Sequence, residues 1–264
     1  MNAPLGISKY NVPGLERGLR LLQLFDRSRK VLSAADMARM LEIPRSTAFR
    51  LAQTLESLGF LERANDAYRI GPGVLRLGFE YIASLEFTEL ARPMIERLRD
   101  ETGFSAQLVI RDGQDVVIVL KAAAQSAFAS NVNVGTRLPA HATILGRVLL
   151  TGTEDRVLAA LYPGTGLPKV SSKSPRTLAE LKHLIKEDRA RGYAVSESFF
   201  EQGVSAIAAP VRDESGRVIA AISVTAQRPS LEPGELRERL IKQVVRAAAD
   251  LSFQLNYRPA EAAA

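Results

Sequence analysis

Cysteine and tryptophan are absent from this 264-residue chain, and histidine occurs only twice, as His141 and His183. The absence of cysteine excludes disulfides, thiolate nucleophiles, cysteine-ligated zinc and iron–sulfur clusters. Two histidines also argue against a multi-histidine metal site. We therefore expect no metal, no cofactor and no catalytic residue. His141 is expected to make a structural hydrogen bond, and His183 is expected to be solvated.

Long apolar runs are missing as well. The longest, such as Val218–Ala226, suit a β-strand and fall far short of the ~20 residues that cross a bilayer. Residues 1–11 lack the charged-then-apolar pattern of a secretion signal. We therefore expect a cytoplasmic protein with no membrane partner. With 46% hydrophobic and 24% charged residues, the composition is typical of a folded chain, and the length suggests two domains.

Positive charge is concentrated near the N-terminus. Residues 1–80 contain 12 lysines and arginines against 8 acidic residues, so they carry +4 of the formal net charge of +6. Ten of these twelve basic residues are arginines, which form bidentate contacts with phosphate and guanine. The N-terminal third is therefore a candidate for nucleic-acid binding, although a solvated basic surface would give the same charge balance.

The pattern of residues 12–71 predicts a winged helix-turn-helix. Apolar residues recur at helical spacing over 15–25, 34–41 and 45–58, and two strand patterns follow at 60–63 and 68–70. The third helix is the one expected to enter the major groove of DNA. The residues predicted to contact DNA lie on its outer face and in the wing: Arg45, Ser46, Thr47, Arg50, Gln53, Arg63 and Arg69.

The remainder of the chain predicts a connector helix over residues 72–87 and a second domain over 88–257, followed by a frayed tail at 258–264. Strands are expected at 106–110, 116–121, 128–134, 193–198, 204–211 and 218–225. Helices are expected at 88–101, 141–151, 155–161, 177–191 and 232–255, with Pro93 bending or breaking the first. Hairpin signals between strands predict an α+β domain with a mostly antiparallel sheet.

Several segments resemble the IclR family of bacterial transcriptional regulators over nearly the whole length. They are LSAADMARMLEIPRSTAFRLAQTLESLGFL (32–61), YRIGPGVLRL (68–77), VGTRLPAHATILGRVLL (134–150) and GVSAIAAPVRDESGRVIAAISV (203–224). The resemblance implies an N-terminal winged helix-turn-helix, a connector helix and a C-terminal GAF-like effector domain. It also implies a homodimer or homotetramer on double-stranded DNA, which we expect to carry a pseudo-palindromic operator. The segment 134–150 is similar to regulators of aromatic-acid catabolism.

The resemblance also implies an effector site in the second domain. Carried over position by position, its residues are Ser130, Leu138, Ile144, Leu145, Ser196, Val204, Ala206, Ser223 and Thr225. Family members that bind small keto acids tend to have an acid and a cysteine where this chain has Ser196 and Ala206. A larger, partly aromatic organic acid is therefore the expected effector. The alternative is a ligand-independent DNA-binding repressor whose second domain has only a structural or oligomerising role.

Overall fold

A computed structural model of the protein describes residues 11–26, 28–124, 132–164, 166–197, 200, 203–227, 230–231 and 234–259. Two of our predictions concern residues outside these ranges: the effector residue Ser130, and most of the strand expected at 128–134. The chain divides into two units, Met1–Ser84 and Leu85–Ala264.

The first unit contains the predicted winged helix-turn-helix. Its elements are α1 (Pro13–Leu22), β1 (Val31–Ser33), α2 (Ala34–Leu41), α3 (Arg45–Ser57), β2 (Leu61–Ala64), β3 (Ala67–Ile70) and α4 (Gly73–Ser84). The strands form an antiparallel sheet in the order β1-β3-β2. The three helices, the hairpin and the connector α4 match the predicted fold class. The short strand β1 was not predicted.

Local sequence determines where the helix-turn-helix begins and turns. The Ser33 hydroxyl accepts a hydrogen bond from the Asp36 N–H, and the Asp36 carboxylate accepts one from the Ser33 N–H, so this capping box starts α2. Glu42 ends α2 in the left-handed conformation (φ 53°), and Pro44 precedes α3. The apolar spacing over 45–58 places Leu58 on the inner side of the third helix, and this prediction was wrong, since Leu58 is 62% exposed. The reason is that α3 ends at Ser57 and Leu58 belongs to the turn.

Tight backbone packing joins the start of α4 to the end of α3. The Gly71 N–H donates to the Phe60 carbonyl at 2.8 Å, and the Gly73 N–H donates to the Gly59 carbonyl at 2.9 Å. A Cβ atom on Gly73 would lie 2.6 Å from the Gly59 carbonyl oxygen. Glycine is therefore required here by close approach, which accounts for the Gly-Pro-Gly sequence at 71–73.

The second unit is built on a six-stranded antiparallel sheet with the order β6-β5-β4-β9-β8-β7. The strands are β4 (Ser105–Asp112), β5 (Asp115–Ala122), β6 (Arg137–Pro139), β7 (Ala194–Glu197), β8 (Ser205–Arg212) and β9 (Val218–Ala226). The helices are α5 (Phe87–Thr102), α6 (Ile144–Leu150), α7 (Asp155–Leu161), α8 (Leu178–Arg191) and α9 (Glu235–Gln254), with a 3₁₀ turn at Ala140–Ala142. This is the predicted α+β architecture.

Three details of the second unit differ from the prediction. Residues 132–134 are not in a strand, and the strand that follows β5 is β6, farther along the chain. Pro93 does not break α5, which continues through it to Thr102. The helix expected at 141–151 is divided at Thr143, because this residue is extended and its hydroxyl accepts the Gly146 N–H to cap α6.

Helices cover both faces of the sheet. On one face α5 and α9 pack on a core that includes Leu108, Ile207 and Ile222. On the other face α6, α7 and α8 pack on a core that includes Ile118 and Ala221. Across the described residues, no helix is long and apolar enough to span a membrane.

Candidate DNA interface and effector site

The outer surface of α3 presents the predicted DNA-contacting side chains together. Arg45, Ser46, Arg50 and Gln53 are exposed, and Thr47 is half-buried. The opposite side of the helix carries Ala48 and Ala52, both fully buried, so α3 packs closely through small residues and leaves its polar side outward.

Arg45 and Arg50 have no ion-pair partner among the residues that the structure describes, which leaves both guanidinium groups available for contact with an external anion. The N-terminus of α3 also lacks a side-chain cap. Exposed backbone N–H groups at a helix start favour phosphate. The arrangement is therefore suited to DNA, and the individual contacts stay predictions.

The wing arginines differ from those of α3, because each already has partners in the protein. Arg63 donates to the Tyr68 hydroxyl at 2.8 Å, and its Nε lies 3.6 Å from a Glu56 carboxylate oxygen. Arg69 lies 2.7 Å from a Glu62 carboxylate oxygen. Glu56 is on α3, so Arg63 links the wing to the helix that is predicted to enter the groove. Binding to DNA would have to compete with these contacts.

In the second unit, strand register places several predicted effector residues together. Ser223 and Thr225 lie on the α6 side of β9, because the alternating Ile222 and Val224 belong to the core under α5 and α9. Thr225 pairs with Ala206 of β8, and Ala206 pairs with Ser196 of β7. These four residues therefore share one end of the sheet face that α6 covers.

The apolar residues of the predicted site are less concentrated. Ile144 and Leu145, both buried, start α6, which packs against β8 and β9. Val204 is half-buried and directly precedes β8. Leu138 pairs with Val116 near the start of β5, so the register places it away from Ser223.

Ser223 has an unusual environment. Its side chain is fully buried, and its hydroxyl has no hydrogen-bond partner among the described residues. A buried hydroxyl without a partner costs free energy that an added polar ligand would recover. Ser223 is therefore a candidate ligand contact, and its role in effector binding stays a prediction.

Sequence reasoning missed three polar side chains on the same face. Gln107 of β4 pairs with Ser223, and Lys121 of β5 pairs with Gln107. Ser105 pairs with Thr225 in the neighbouring row. The Gln107 amide donates to the Thr225 hydroxyl at 3.1 Å. The alternation of apolar Ala106, polar Gln107 and apolar Leu108 is the signal that could have identified this face.

The two histidines occupy the kinds of environment expected of them. His141 is buried, and its Nε2 lies 3.0 Å from the Pro168 carbonyl oxygen, while its ring contacts that of Tyr162 edge-on. Burial raises the pKa of Tyr162 to about 12. His183 is exposed and lies 3.2 Å from Glu187. Within the described ranges, no three acidic or histidine side chains cluster as metal ligands would.

A winged helix-turn-helix with a basic outer helix, followed by an α+β domain, defines a two-domain DNA-binding regulator. The IclR helix-turn-helix domain model matches residues 14–64, and the model for the bacterial transcriptional regulator IclR C-terminal matches residues 79–253. The chain belongs to the IclR family and is a transcriptional regulator of that type. Characterised members of the family regulate transcription by binding DNA and are not enzymes.

Relatives with named roles cover most of the chain. The Pca regulon regulatory protein of Pseudomonas putida is 32% identical over 245 residues, which span 91% of this chain and 83% of that protein. The transcriptional repressor AllR of Salmonella typhi is 32% identical over 253 residues, which span 93% of this chain and 90% of that protein.

Solved structures share the fold. A transcriptional regulator from Rhodococcus sp. RHA1 has a TM-score of 0.81 and 32% identity, with 93% of this chain and 98% of that one covered. An IclR homolog from Microbacterium hydrocarbonoxydans, complexed with 4-hydroxybenzoate, has a TM-score of 0.79 and 26% identity, with 92% and 98% covered.

Proposed function

We propose that the protein is an effector-responsive regulator of catabolic genes whose second unit binds a small aromatic acid. The observation that carries this proposal is the buried, unpartnered hydroxyl of Ser223, which shares with Thr225 the sheet face that α6 covers. Hydroxyls that lie next to buried apolar residues such as Ile144 and Leu145 suit a ligand that combines a polar group with a ring.

The chemical class of the effector has two supports. Ala206, Ile144 and Leu145 offer apolar surface and no charge, which favours a ring over a two- or three-carbon acid. One relative is named for the Pca regulon, and a structural neighbour holds 4-hydroxybenzoate. The Gly146 N–H at the start of α6 already donates to the Thr143 hydroxyl, so we expect the polar contacts to the effector to come mainly from the sheet.

Operator binding would require at least two copies of the chain. One winged helix covers few base pairs, so a dimer on a pseudo-palindrome, with half-sites about one helical turn or a multiple apart, supplies the specificity. Two exposed apolar sets in the first unit support a second copy: Leu15 and Leu19 on α1, and Leu75, Leu77, Phe79 and Tyr81 on α4. We propose a homodimer or homotetramer with part of its contact on α4.

An effector can regulate DNA binding only if it binds the high- and low-affinity states differently. The first test is a thermal-shift screen of benzoate, 4-hydroxybenzoate and 3,4-dihydroxybenzoate, with their uncharged amides as controls. A ligand at 100 times its Kd should stabilise the protein by about 2.7 kcal/mol. Failure of every acid to bind would favour the ligand-independent repressor.

A further inference from the structure

We propose that Lys121 and Gln107 complete the effector site, with Lys121 supplying the positive charge that holds the effector's carboxylate. This inference rests on the proposed function, because it assumes that an organic acid binds on the α6 side of the sheet. Neither residue belongs to the set that the family resemblance implies.

The first support is register. Lys121, Gln107 and Ser223 are direct partners across three neighbouring strands, β5, β4 and β9. Direct partners in an antiparallel sheet have their side chains on the same face, about 4.5–5.5 Å apart at Cβ. Lys121 therefore lies on the same sheet face as the unpartnered Ser223 hydroxyl, two strands away.

The second support is the direction of the lysine side chain. The Lys121 ammonium donates to the Val132 carbonyl, and Val132 packs against the core cluster that contains Ile144 and Leu145. This contact keeps the ammonium group on the α6 side of the sheet and half-buried.

The third support is charge. Two cross-strand rows of residues form this end of the sheet face. The first row is Ser196, Ala206, Thr225 and Ser105, and the second is Ala194, Ala208, Ser223, Gln107 and Lys121. In these two rows Lys121 is the single charged residue. A buried carboxylate without a cationic partner is costly. Lys121 is therefore the residue of these rows that can neutralise an acid.

Gln107 acts differently, as a positioning residue. Its amide N–H donates to the Thr225 hydroxyl oxygen. A hydroxyl that accepts this bond still has its own proton to donate. Gln107 therefore orients Thr225 as a donor toward a ligand oxygen. With Lys121 it makes this end of the face rich in donors, which suits an anion.

The test is calorimetry of the full-length protein with the tightest acid of the three benzoates and with its amide. Lys121→Met should weaken binding of the acid at least tenfold and leave binding of the amide within twofold. Lys121→Arg should retain the preference for the acid. Lys186→Met, which removes an exposed lysine from α8, is the matched control and should change neither affinity.

Gln107→Leu should weaken acid and amide alike, since Thr225 loses its orienting partner while the charge remains. Thermal unfolding of each variant without ligand confirms that it is folded. If the wild type binds an acid and Lys121→Met binds it equally well, the role of Lys121 is overturned while the proposed function stands. If the wild type binds no acid, the proposed function fails, and this inference fails with it.

Discussion

Arg147 on α6 and Asp188 on α8 form a buried ion pair, with the guanidinium Nε 2.8 Å from a carboxylate oxygen. The two side chains are 4% and 0% exposed. Burial raises the pKa of Asp188, while Arg147 and Arg191 oppose the shift. Arg191 lies 2.6 Å from the other carboxylate oxygen. The pair fixes α6, and with it the residues that start the helix, against α8.

Removing the carboxylate should therefore destabilise the second unit. Asp188→Asn leaves the Arg147 guanidinium buried without its counter-ion, and breaking such a pair costs about 3–5 kcal/mol. Urea unfolding monitored by circular dichroism measures the change. Asp155→Asn removes an exposed partner of Lys182 and serves as the control, which should unfold close to the wild type. Equal stability of Asp188→Asn and wild type would contradict a structural role for the pair.

The position of α6 also depends on Gly146. A Cβ atom there would lie 2.0 Å from the Ala140 carbonyl oxygen, so the helix contacts the preceding 3₁₀ turn through bare backbone. Gly146→Ala should destabilise the protein by about 1–3 kcal/mol, the usual cost of overpacking. In Gly166→Ala the new Cβ would lie an ordinary 3.7 Å from the Arg176 carbonyl oxygen, so the same unfolding experiment should show little change. If Gly146→Ala leaves the free energy of unfolding unchanged, the 3₁₀ turn can shift to accommodate the added Cβ atom.

Local signals predicted much of the fold. Apolar spacing over 34–41 and 45–58 located α2 and α3. What sequence could not supply is pairing between distant segments. Strand β1 has only three residues and is stabilised by β3, almost forty positions later. The same limit applies to the pair of Arg147 and Asp188, whose partners are 41 positions apart.

The candidate site divides in the same way. Family resemblance implied Ser223 and Thr225 as effector residues, which stays a prediction, and the register pairs Thr225 with Ala206. Nothing in the sequence placed Gln107 and Lys121 on the same face as these residues, because each looks like an ordinary strand residue until its cross-strand partner is known. Leu138 was included, although β6 pairs at the opposite end of β5 from Lys121. Which residues share a sheet face is local information, whereas which strands are neighbours is not.

DNA binding should depend on the arginines of α3. If Arg45 or Arg50 reads a base, its change to alanine should cost about 1–3 kcal/mol and relax one operator position. A phosphate contact would instead weaken binding to all sequences and reduce the salt dependence. Footprinting on the native upstream region, with Arg156→Ala of α7 as the control, separates these outcomes. If both α3 variants bind like the wild type, α3 is not the helix that contacts DNA.

Association should depend on the exposed apolar side chains of the first unit. Phe79 on α4 is 65% exposed, and Phe79→Glu would place a charge in any contact that covers it. Sedimentation equilibrium should show a dimer or tetramer for the wild type and a shift toward monomer for the variant. Val157→Glu, at a 43% exposed position on α7, is the control and should keep the wild-type assembly. A wild type that is monomeric at micromolar concentration would contradict the proposed dimer.

Effector binding should depend on the hydroxyls of β9. Thr225→Val keeps the shape of the side chain and removes its hydroxyl, while Ser223→Ala removes the unpartnered one. Loss of a neutral hydrogen bond should cost about 0.5–1.5 kcal/mol of binding free energy, and loss of a bond to a charged group about 1.5–3 kcal/mol. Because neither side chain lies in the first unit, DNA binding without ligand should persist in both variants. Calorimetry with the best acid from the screen measures the change. The control is Ser215→Ala, which removes an exposed hydroxyl. Ser252 is unsuitable as a control, because its hydroxyl accepts a hydrogen bond from the backbone of β8. Unchanged affinity in both β9 variants would place the effector elsewhere in the protein.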